Sequence, residues 1–267
     1  MAMESNYTCA PDVLKRLLGR VTRSVPAQAA DADGDDLATA RKFEHYWYNA
    51  QKKIDLRRLD GFGPLAERIR AERCTYLHFD RLFTLWQGVQ NIPAGARSVV
   101  EVGVYEGGSA KFIAEAMRWR GLDLPMAACD TFAGHAVVDD TIDGRHEVGR
   151  QFTKVSVDEV RGYLSGYTNL RIVAGDILDT SPSLADMHDL GLVHVDVDVY
   201  PPTRHCLEVF APRVVIGGSI VVDDYGFKTC PGAKKAVDEF TAVHPEFARW
   251  HLMTGQALLV RTNAPRS

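Results

Sequence analysis

Residues 98–109 have the sequence SVVEVGVYEGGS, an apolar run that turns abruptly into glycines. The short valine-rich run predicts a buried β-strand, and the pattern SAKFIAEAMRW, which begins at residue 109, predicts a helix directly after it. Glycines allow a ligand to approach the backbone closely, and the first turn of a helix presents free N–H groups. This stretch therefore predicts the first strand, a ligand-binding turn and the first helix of an α/β fold.

The same alternation continues to the end of the chain. Further strand patterns occupy 125–130, 169–176, 190–199 and 217–224, helical patterns occupy 157–166, 203–214 and 232–243, and 250–262 is typical of a hairpin. Strands that alternate with helices predict a mostly parallel, Rossmann-like sheet of seven strands, with helices on both faces and a terminal antiparallel hairpin. In such sheets, ligands bind beyond the carboxyl ends of the strands.

Composition indicates an ordinary soluble protein of 267 residues, with 46% apolar and 25% charged residues. The net charge of −4 gives no reason to expect nucleic acid or an anionic membrane as a partner. The five cysteines are scattered and form no CxxC pair, which favours a reducing compartment over a disulfide framework. Without an apolar run of membrane-spanning length or a signal-peptide pattern, we expect a cytoplasmic protein.

Three helical patterns precede the first strand. The first covers 10–21, and the second, KFEHYWYNAQKKIDLRRL at 42–59, is dense in aromatic and cationic residues. The second pattern favours a helix that packs on the main domain or on a partner subunit, and a lid over a ligand is the alternative. In the third, at 76–91, apolar residues recur at helical spacing and are expected to face the core: Phe79, Leu82, Phe83, Trp86 and Val89. We divide the chain into an N-terminal helical extension or lid at 1–70 and a main domain at 71–267.

The glycine-rich turn differs from a dinucleotide-binding fingerprint. That fingerprint has the form GxGxxG, whereas Tyr105 here occupies the place of the second glycine and the spacing is GxxxGG. A ligand without a pyrophosphate does not need that second glycine. Glu101, just before the turn, suits a cationic or amino-bearing ligand better than a phosphate.

Acidic residues also end the next two strands. Asp130 stands where an acid usually binds ribose hydroxyls, and Asp176 is a plausible partner for an adenine amino group. Adenosine joined to a cationic amino acid, with no phosphate, describes S-adenosylmethionine. The alternative is that Glu101 and Asp130 only cap turns.

Four aspartates follow the last two parallel strands, Asp196 and Asp198 after one and Asp223 and Asp224 after the other. If the strands are neighbours, these carboxylates crowd together, so they raise each other's pKa or require a cation. Oxygen ligands select a hard ion, which is magnesium or, as alternatives, manganese or calcium. Residues two apart in a strand share a side, so one of Asp196 and Asp198 can bind the metal while the other accepts a proton. The alternative is a pair of surface turns. We expect His194 to point away from Asp196 and to pack in the sheet.

A metal beside a free carboxylate suits alkyl transfer to an alcohol. A sugar hydroxyl is a poor nucleophile because its proton is held tightly at neutral pH. Magnesium chelated by two adjacent hydroxyls acidifies them, and a nearby carboxylate removes the proton as the oxygen attacks the sulfonium methyl group.

The motifs EVGVYEGGS, CDTFAG, VDVDVYPPT, GGSIVVDDYG and CPGAKKAVDEF occur in this order. Together they resemble the macrocin O-methyltransferase family, class I, magnesium-dependent sugar O-methyltransferases of antibiotic biosynthesis. The resemblance runs from Arg73 to Leu259. It implies a metal site at Asp196, Asp223 and Asp224, with Asp198 as the general base. Because the N-terminal region of this family contributes to the lid and to dimer contacts, it also implies a homodimer.

The turn, the strand ends and the resemblance together define a predicted cofactor site. Its residues are Glu101, Gly103, Tyr105, Gly107, Ser109, Asp130, Thr131, Asp176, Ile177 and Asp196. The polar segment 134–152 is expected to form a mobile active-site loop, in which His135 and His146 are candidates for contact with the substrate.

Three alternatives remain open on the residues alone. The DVD sequence at 196–198 also matches the DxD motif of metal-dependent glycosyltransferases, although that class does not open with an ExGxxxGG loop. A catechol also chelates magnesium through two adjacent oxygens and is an alternative acceptor. The third alternative is a nucleoside- or metal-binding module without catalysis.

Overall fold

A computed structural model describes residues 56–72 and 75–264. The helix predicted over 10–21, and residues 42–55 of the second helical pattern, lie outside these ranges. Within them, no helix has the length and apolar character needed to cross a membrane.

The described residues form seven helices, seven strands and short 3₁₀ turns. The helices are α1 (Phe62–Glu72), α2 (Phe79–Gln90), α3 (Gly108–Trp119), α4 (Val157–Leu164), α5 (Ile177–Thr180), α6 (Tyr200–Phe210) and α7 (Pro231–Val243). The strands are β1 (Ser98–Val102), β2 (Met126–Asp130), β3 (Leu170–Ala174), β4 (Leu190–Val195), β5 (Val214–Val222), β6 (Phe247–His251) and β7 (Ala257–Arg261). The 3₁₀ turns are Leu56–Arg58, Ser181–Leu184 and Ala211–Arg213.

The strands form one seven-stranded sheet in the order β3-β2-β1-β4-β5-β7-β6. Strands β1 to β5 pair in parallel, and β7 runs antiparallel to both β5 and β6. The predicted fold class, including the terminal hairpin, is confirmed. Because β1 lies between β2 and β4, the glycine turn, the acid at the end of β2 and the aspartates after β4 meet at one edge of the sheet.

Alternation along the strands divides the core into two layers. In β1, Val99 belongs to the layer that includes α1, α2 and α3, whereas Val100 and Val102 belong to the layer that includes α6 and α7. Side chains two apart in a strand share a face, so Glu101 lies on the same side as Val99. The Glu101 carboxylate therefore lies on the side of the sheet that faces α1, α2 and α3.

Helix α2 packs as its spacing predicts. Leu82, Trp86 and Val89 are buried, and Phe79 and Phe83 pack against the same cluster. Phe62 of α1 is fully buried, and its ring makes an edge-to-face contact with Phe83 at 5.1 Å between ring centroids. These contacts hold α2, and with it Arg81, close to the end of β5.

Candidate active site

The glycine turn after β1 needs glycine at two positions for steric reasons. Gly103 and Gly107 have φ values of +93° and +88°, in the left-handed region. A Cβ atom at Gly103 would lie 1.8 Å from the carbonyl oxygen of Asp196. Gly103 therefore allows the end of β1 to lie directly against the first residue after β4.

Asp130 organises the same turn. Its Oδ2 accepts hydrogen bonds from the backbone N–H groups of Val104 at 2.7 Å and Tyr105 at 2.8 Å, and its Oδ1 accepts from Phe132 at 2.7 Å. A carboxylate offers about four acceptor sites. Asp130 thus caps the turn, as in the alternative interpretation, and retains acceptor capacity toward the pocket that it lines.

One pocket lies at this edge of the sheet, beyond the carboxyl ends of β1 to β4. Every predicted cofactor residue except Glu101 and Gly107 lines it: Gly103, Tyr105, Ser109, Asp130, Thr131, Asp176, Ile177 and Asp196. The pocket also includes Arg81, His135, Asp198 and Asp224. Most of the predicted cofactor residues, and the predicted metal and proton-accepting aspartates other than Asp223, therefore line one cavity.

Glu101 lies behind this pocket, in the sheet. Its side chain is fully buried, Oε1 is 2.9 Å from Nδ1 of His194, and Oε2 has no hydrogen-bond partner among the described residues. Residues 101 and 194 are register partners in β1 and β4. The acid that was predicted to contact the ligand thus contacts a histidine of the neighbouring strand.

The prediction that His194 points away from Asp196 is wrong. Its imidazole lies within 4.8 Å of the carboxylates of Asp196 and Asp223, because residues 194 and 196 are two apart and share a face. Burial lowers the pKa of His194, but its contacts with Asp223 and Glu101 and the charges of Glu101 and Asp196 outweigh burial and raise the pKa to about 10. His194 lies between Glu101, at 2.9 Å from its Nδ1, and Asp223, at 3.8 Å from its Nε2, and this Nε2 has no hydrogen-bond partner among the described residues.

Each carboxylate oxygen of Asp223 has a close protein partner. Its Oδ2 forms an ion pair with Arg81, its Oδ1 accepts a hydrogen bond from Nε2 of Gln256 at 2.7 Å, and Nε2 of His194 is 3.8 Å from Oδ1. Burial raises the pKa of Asp223, but His194 and Arg81 hold it below its usual range. Asp223 is fully buried and does not line the pocket.

The pKa values of Asp196 and Asp224 are shifted in the opposite direction from that of Asp223. Burial, and then the charges of Asp223 and Asp224, raise the pKa of Asp196 well above its usual range. Burial and the charges of Asp198 and Asp223 do the same for Asp224. Oδ2 of Asp224 is buried and has no hydrogen-bond partner among the described residues. Crowded carboxyl groups that are costly to ionise without a cation, one of them with an orphaned oxygen, fit a hard divalent cation.

Asp198 reaches the pocket by a different path from Asp196. Strand β4 ends at Val195, and Asp198 has a φ of +62°, so a left-handed turn rather than strand alternation presents its side chain. The Cys230 thiol lies 3.5 Å from Oδ1, and Nε2 of His135 lies 3.7 Å from Oδ2. Aspartate adopts this left-handed conformation more readily than most residues, so the turn accommodates it at this position.

The loop that was expected to be mobile is tied down at several points. Asp143 is fully buried, and its carboxylate accepts hydrogen bonds from the backbone N–H groups of Tyr200 at 2.7 Å and Gly232 at 2.9 Å. His146 is 3.2 Å from His135 between ring nitrogens and 2.9 Å from the carbonyl oxygen of Thr229. Of the two histidines, only His135 lines the pocket.

Several residues of the site were missed from the sequence: Arg81, Gln256 and Asp143. Arg81 lies in an amphipathic helix and Gln256 in the turn before β7, and neither position carries a motif. The local signal at Asp143 is only an aspartate followed by a glycine in a polar loop. Each of these residues contacts a partner on another element of the fold, and the spacing of residues along the sequence does not reveal such contacts.

Fold and pocket together define a class I methyltransferase: a seven-stranded sheet with a terminal antiparallel hairpin, and a cofactor pocket beyond a glycine turn. The family model for macrocin O-methyltransferase (TylF) matches residues 80–247, and the chain belongs to this family. It is therefore an O-methyltransferase that uses S-adenosylmethionine. The glycosyltransferase and non-catalytic alternatives are set aside.

The chain is also similar to individual proteins. One is the 8-demethyl-8-(2,3-dimethoxy-alpha-L-rhamnosyl)-tetracenomycin-C 4'-O-methyltransferase of Streptomyces olivaceus, 26% identical over 243 residues, or 83% of this chain and 81% of the relative. Another is the demethyldecarbamoylnovobiocin O-methyltransferase of Streptomyces niveus, 32% identical over 162 residues, or 57% and 60%. Among solved structures, the O-methyltransferase NovP superposes with a TM-score of 0.59 at 27% identity, over 71% of this chain and 82% of that chain.

Proposed function

We propose that the enzyme is magnesium-dependent and methylates a sugar hydroxyl of a glycosylated natural product or a nucleotide sugar, in antibiotic or other secondary-metabolite biosynthesis. The observation that carries the proposal is the meeting of Asp196, Asp198 and Asp224 in one pocket with the cofactor residues. The relatives support the acceptor class, because the name of the Streptomyces olivaceus enzyme specifies a rhamnosyl-bearing substrate.

The metal part of the proposal assigns the ion to the predicted set of Asp196, Asp223 and Asp224. The pKa values of Asp196 and Asp224 are raised and Asp224 has the orphaned oxygen, whereas Asp223 is paired with Arg81. A magnesium ion held there would supply Lewis acidity toward the hydroxyls of the acceptor.

The remaining chemistry belongs to the chain itself. Asp198, whose carboxylate lies in the pocket with space beside it, would accept the proton of the acceptor hydroxyl. The glycine turn and Asp130 would receive the amino-acid and ribose parts of S-adenosylmethionine, and Asp176 its adenine. Glu101 lies outside the pocket wall and would act through His194 rather than on the ligand.

A methyl-transfer screen tests this function. Purified enzyme with S-adenosylmethionine and magnesium is offered glycosylated natural products, nucleotide sugars and simple catechols, and products are followed by mass spectrometry as a gain of one methyl group. We expect transfer to at least one sugar-bearing acceptor, with fragmentation that places the methyl group on the sugar. Transfer confined to catechols would overturn the sugar assignment and leave the methyltransferase class intact.

The proposal also includes the remaining expectations from the sequence. These are a homodimer, a cytoplasmic location, and an N-terminal extension over 1–70 that contributes to the lid and to dimer contacts. Residues 62–70 of that span lie in α1 and pack in the core, so those contacts would come from the residues before α1. Light scattering coupled to size-exclusion chromatography measures the first directly, and a monomer at micromolar concentration would contradict it.

A further inference from the structure

Arg81 occupies an unusual position for an arginine. Its side chain is 13% exposed, and its guanidinium contacts both the Asp223 carboxylate and the carbonyl oxygen of Tyr76. The guanidinium carbon also lies 5.4 Å from the centre of the Phe227 ring. Gln256 closes the arrangement, since its Nε2 is 2.7 Å from Oδ1 of Asp223 and 3.5 Å from the carbonyl oxygen of Arg81.

The charges around Arg81 are strongly unbalanced toward acid. Asp196, Asp198 and Asp224 line the same pocket as Arg81, and Asp223 lies directly behind them. An arginine side chain does not lose its proton under any ordinary condition. Arg81 is thus a permanent cation at the edge of the carboxylate cluster, in the region where a divalent ion would also be stabilised.

Asp223 is the carboxylate that both Arg81 and the proposed divalent ion would contact. In the structure, its Oδ2 is paired with Arg81 and its Oδ1 with Gln256, so neither oxygen is free of a donor. The predicted metal site, however, needs Asp223 as its third carboxylate. Metal binding at all three aspartates would therefore place the ion and Arg81 on the same carboxylate.

We infer that Arg81 is an internal counter-cation that holds Asp223 in the metal-free enzyme and competes with the divalent ion for it. This inference rests on the proposed function, because it presumes a divalent site at Asp196, Asp223 and Asp224. Arg81 is then a positioning residue that sets the affinity of the site for metal. It lowers that affinity and stabilises the enzyme when the ion is absent.

The test measures divalent-ion binding without turnover. The full-length protein is stripped of metal and titrated with Mn²⁺ by calorimetry, in the absence of cofactor and acceptor. Arg81→Gln frees the Asp223 carboxylate from its ion pair, and we expect this variant to bind Mn²⁺ at least about tenfold more tightly than the wild type, because the ion no longer competes with a fixed cation for that carboxylate. Its metal-free melting temperature should fall and should recover on saturation with Mn²⁺.

Two further variants make the test specific. Arg97→Gln removes an exposed arginine that pairs with Asp189 at 3.7 Å, and it should leave the affinity for Mn²⁺ unchanged. In the background Asp223→Asn, the effect of Arg81→Gln should shrink to the part that repulsion between the two cations contributes, because they no longer share a carboxylate. If Arg81→Gln does not fold, Arg81→Met takes its place, because methionine keeps a long, unbranched side chain and carries no charge.

The outcomes separate this inference from the proposed function. If the wild type binds Mn²⁺ and removal of the Arg81 charge leaves the affinity unchanged or weaker, the competition is refuted and the metal site stands. The competition is also refuted if the gain in affinity is undiminished in the Asp223→Asn background. If neither wild type nor variant binds a divalent ion at millimolar concentration, the metal part of the proposed function fails together with the inference.

Discussion

Asp196 and Asp198 are two residues apart but have different surroundings, and the difference favours a different role for each. Asp196 lies deep among other acids, and its pKa is raised by burial and by Asp223 and Asp224. Asp198 stands two residues on, in a left-handed turn, beside the Cys230 thiol and His135. The first environment favours a metal ligand, and the second favours a group that meets the acceptor directly.

The clearest prediction at this scale concerns Asp198. Asp198→Asn keeps the size of the side chain and removes its capacity to accept a proton, so turnover should fall by about 100-fold or more. Binding of S-adenosylhomocysteine and of Mn²⁺, measured by calorimetry, should stay within about threefold of the wild type. A variant that turns over at near-normal rate would show that another group accepts the proton.

Among the structural elements, strands were more predictable than loops. Alternation and β-branched runs predicted β1 to β5, and the parallel sheet rule then predicted that the glycine turn and the aspartates after β4 would lie at one edge. The loop between β2 and α4 has no periodicity, and its structure depends on contacts with distant residues. Asp143 illustrates this, since its partners Tyr200 and Gly232 lie in α6 and α7.

The same distinction explains the error at His194. Strand periodicity was available in the sequence and already required residues 194 and 196 to share a face. The partner of His194 across the strands was not available, because the register between β1 and β4 is set by tertiary packing. Residue type and spacing thus predicted which side chains lie at the site, and register decided their partners.

Asp143 provides a prediction at the scale of elements. Its one carboxylate accepts from the first turns of two helices, α6 and α7, and ties the loop over the pocket to both. Helix capping contributes about 1 kcal/mol per helix, and burying an unpaired N–H costs about 1–3 kcal/mol. Asp143→Ala should therefore lower the free energy of unfolding by about 2–4 kcal/mol, measured by urea denaturation.

The matched control for this prediction lies in the same loop. Asp140 is exposed, and Asp140→Ala should change the free energy of unfolding by less than about 0.5 kcal/mol. Asp143→Asn retains one carbonyl oxygen and should fall between the two. Equal stability of Asp143→Ala and Asp140→Ala would mean that water or another side chain replaces the carboxylate at no cost.

At the scale of the whole molecule, a buried chain of charges runs across the sheet beneath the pocket. It begins at Glu101 in β1, passes through His194 in β4 to Asp223 after β5, and ends at Arg81 of α2 and Gln256 before β7. Among the described residues, Asp223 forms an ion pair with Arg81, whereas the carboxyl groups of Asp196 and Asp224 form none with an arginine or lysine and have raised pKa values. A cation bound as proposed would remove this electrostatic cost.

Divalent metal should accordingly stabilise the fold as well as support turnover. An ion that binds only the folded state adds about 2.7 kcal/mol to the free energy of unfolding at a concentration 100 times its Kd. Magnesium should raise the melting temperature of the wild type in a concentration-dependent manner, and EDTA should reverse that rise and abolish activity. In Asp224→Asn, the metal-free protein should be no less stable than the wild type, because one of the crowded carboxyl groups is gone. Magnesium should then raise the melting temperature of this variant only slightly. Full activity in protein stripped of metal, or an equal gain from magnesium in Asp224→Asn, would refute a divalent site at these aspartates.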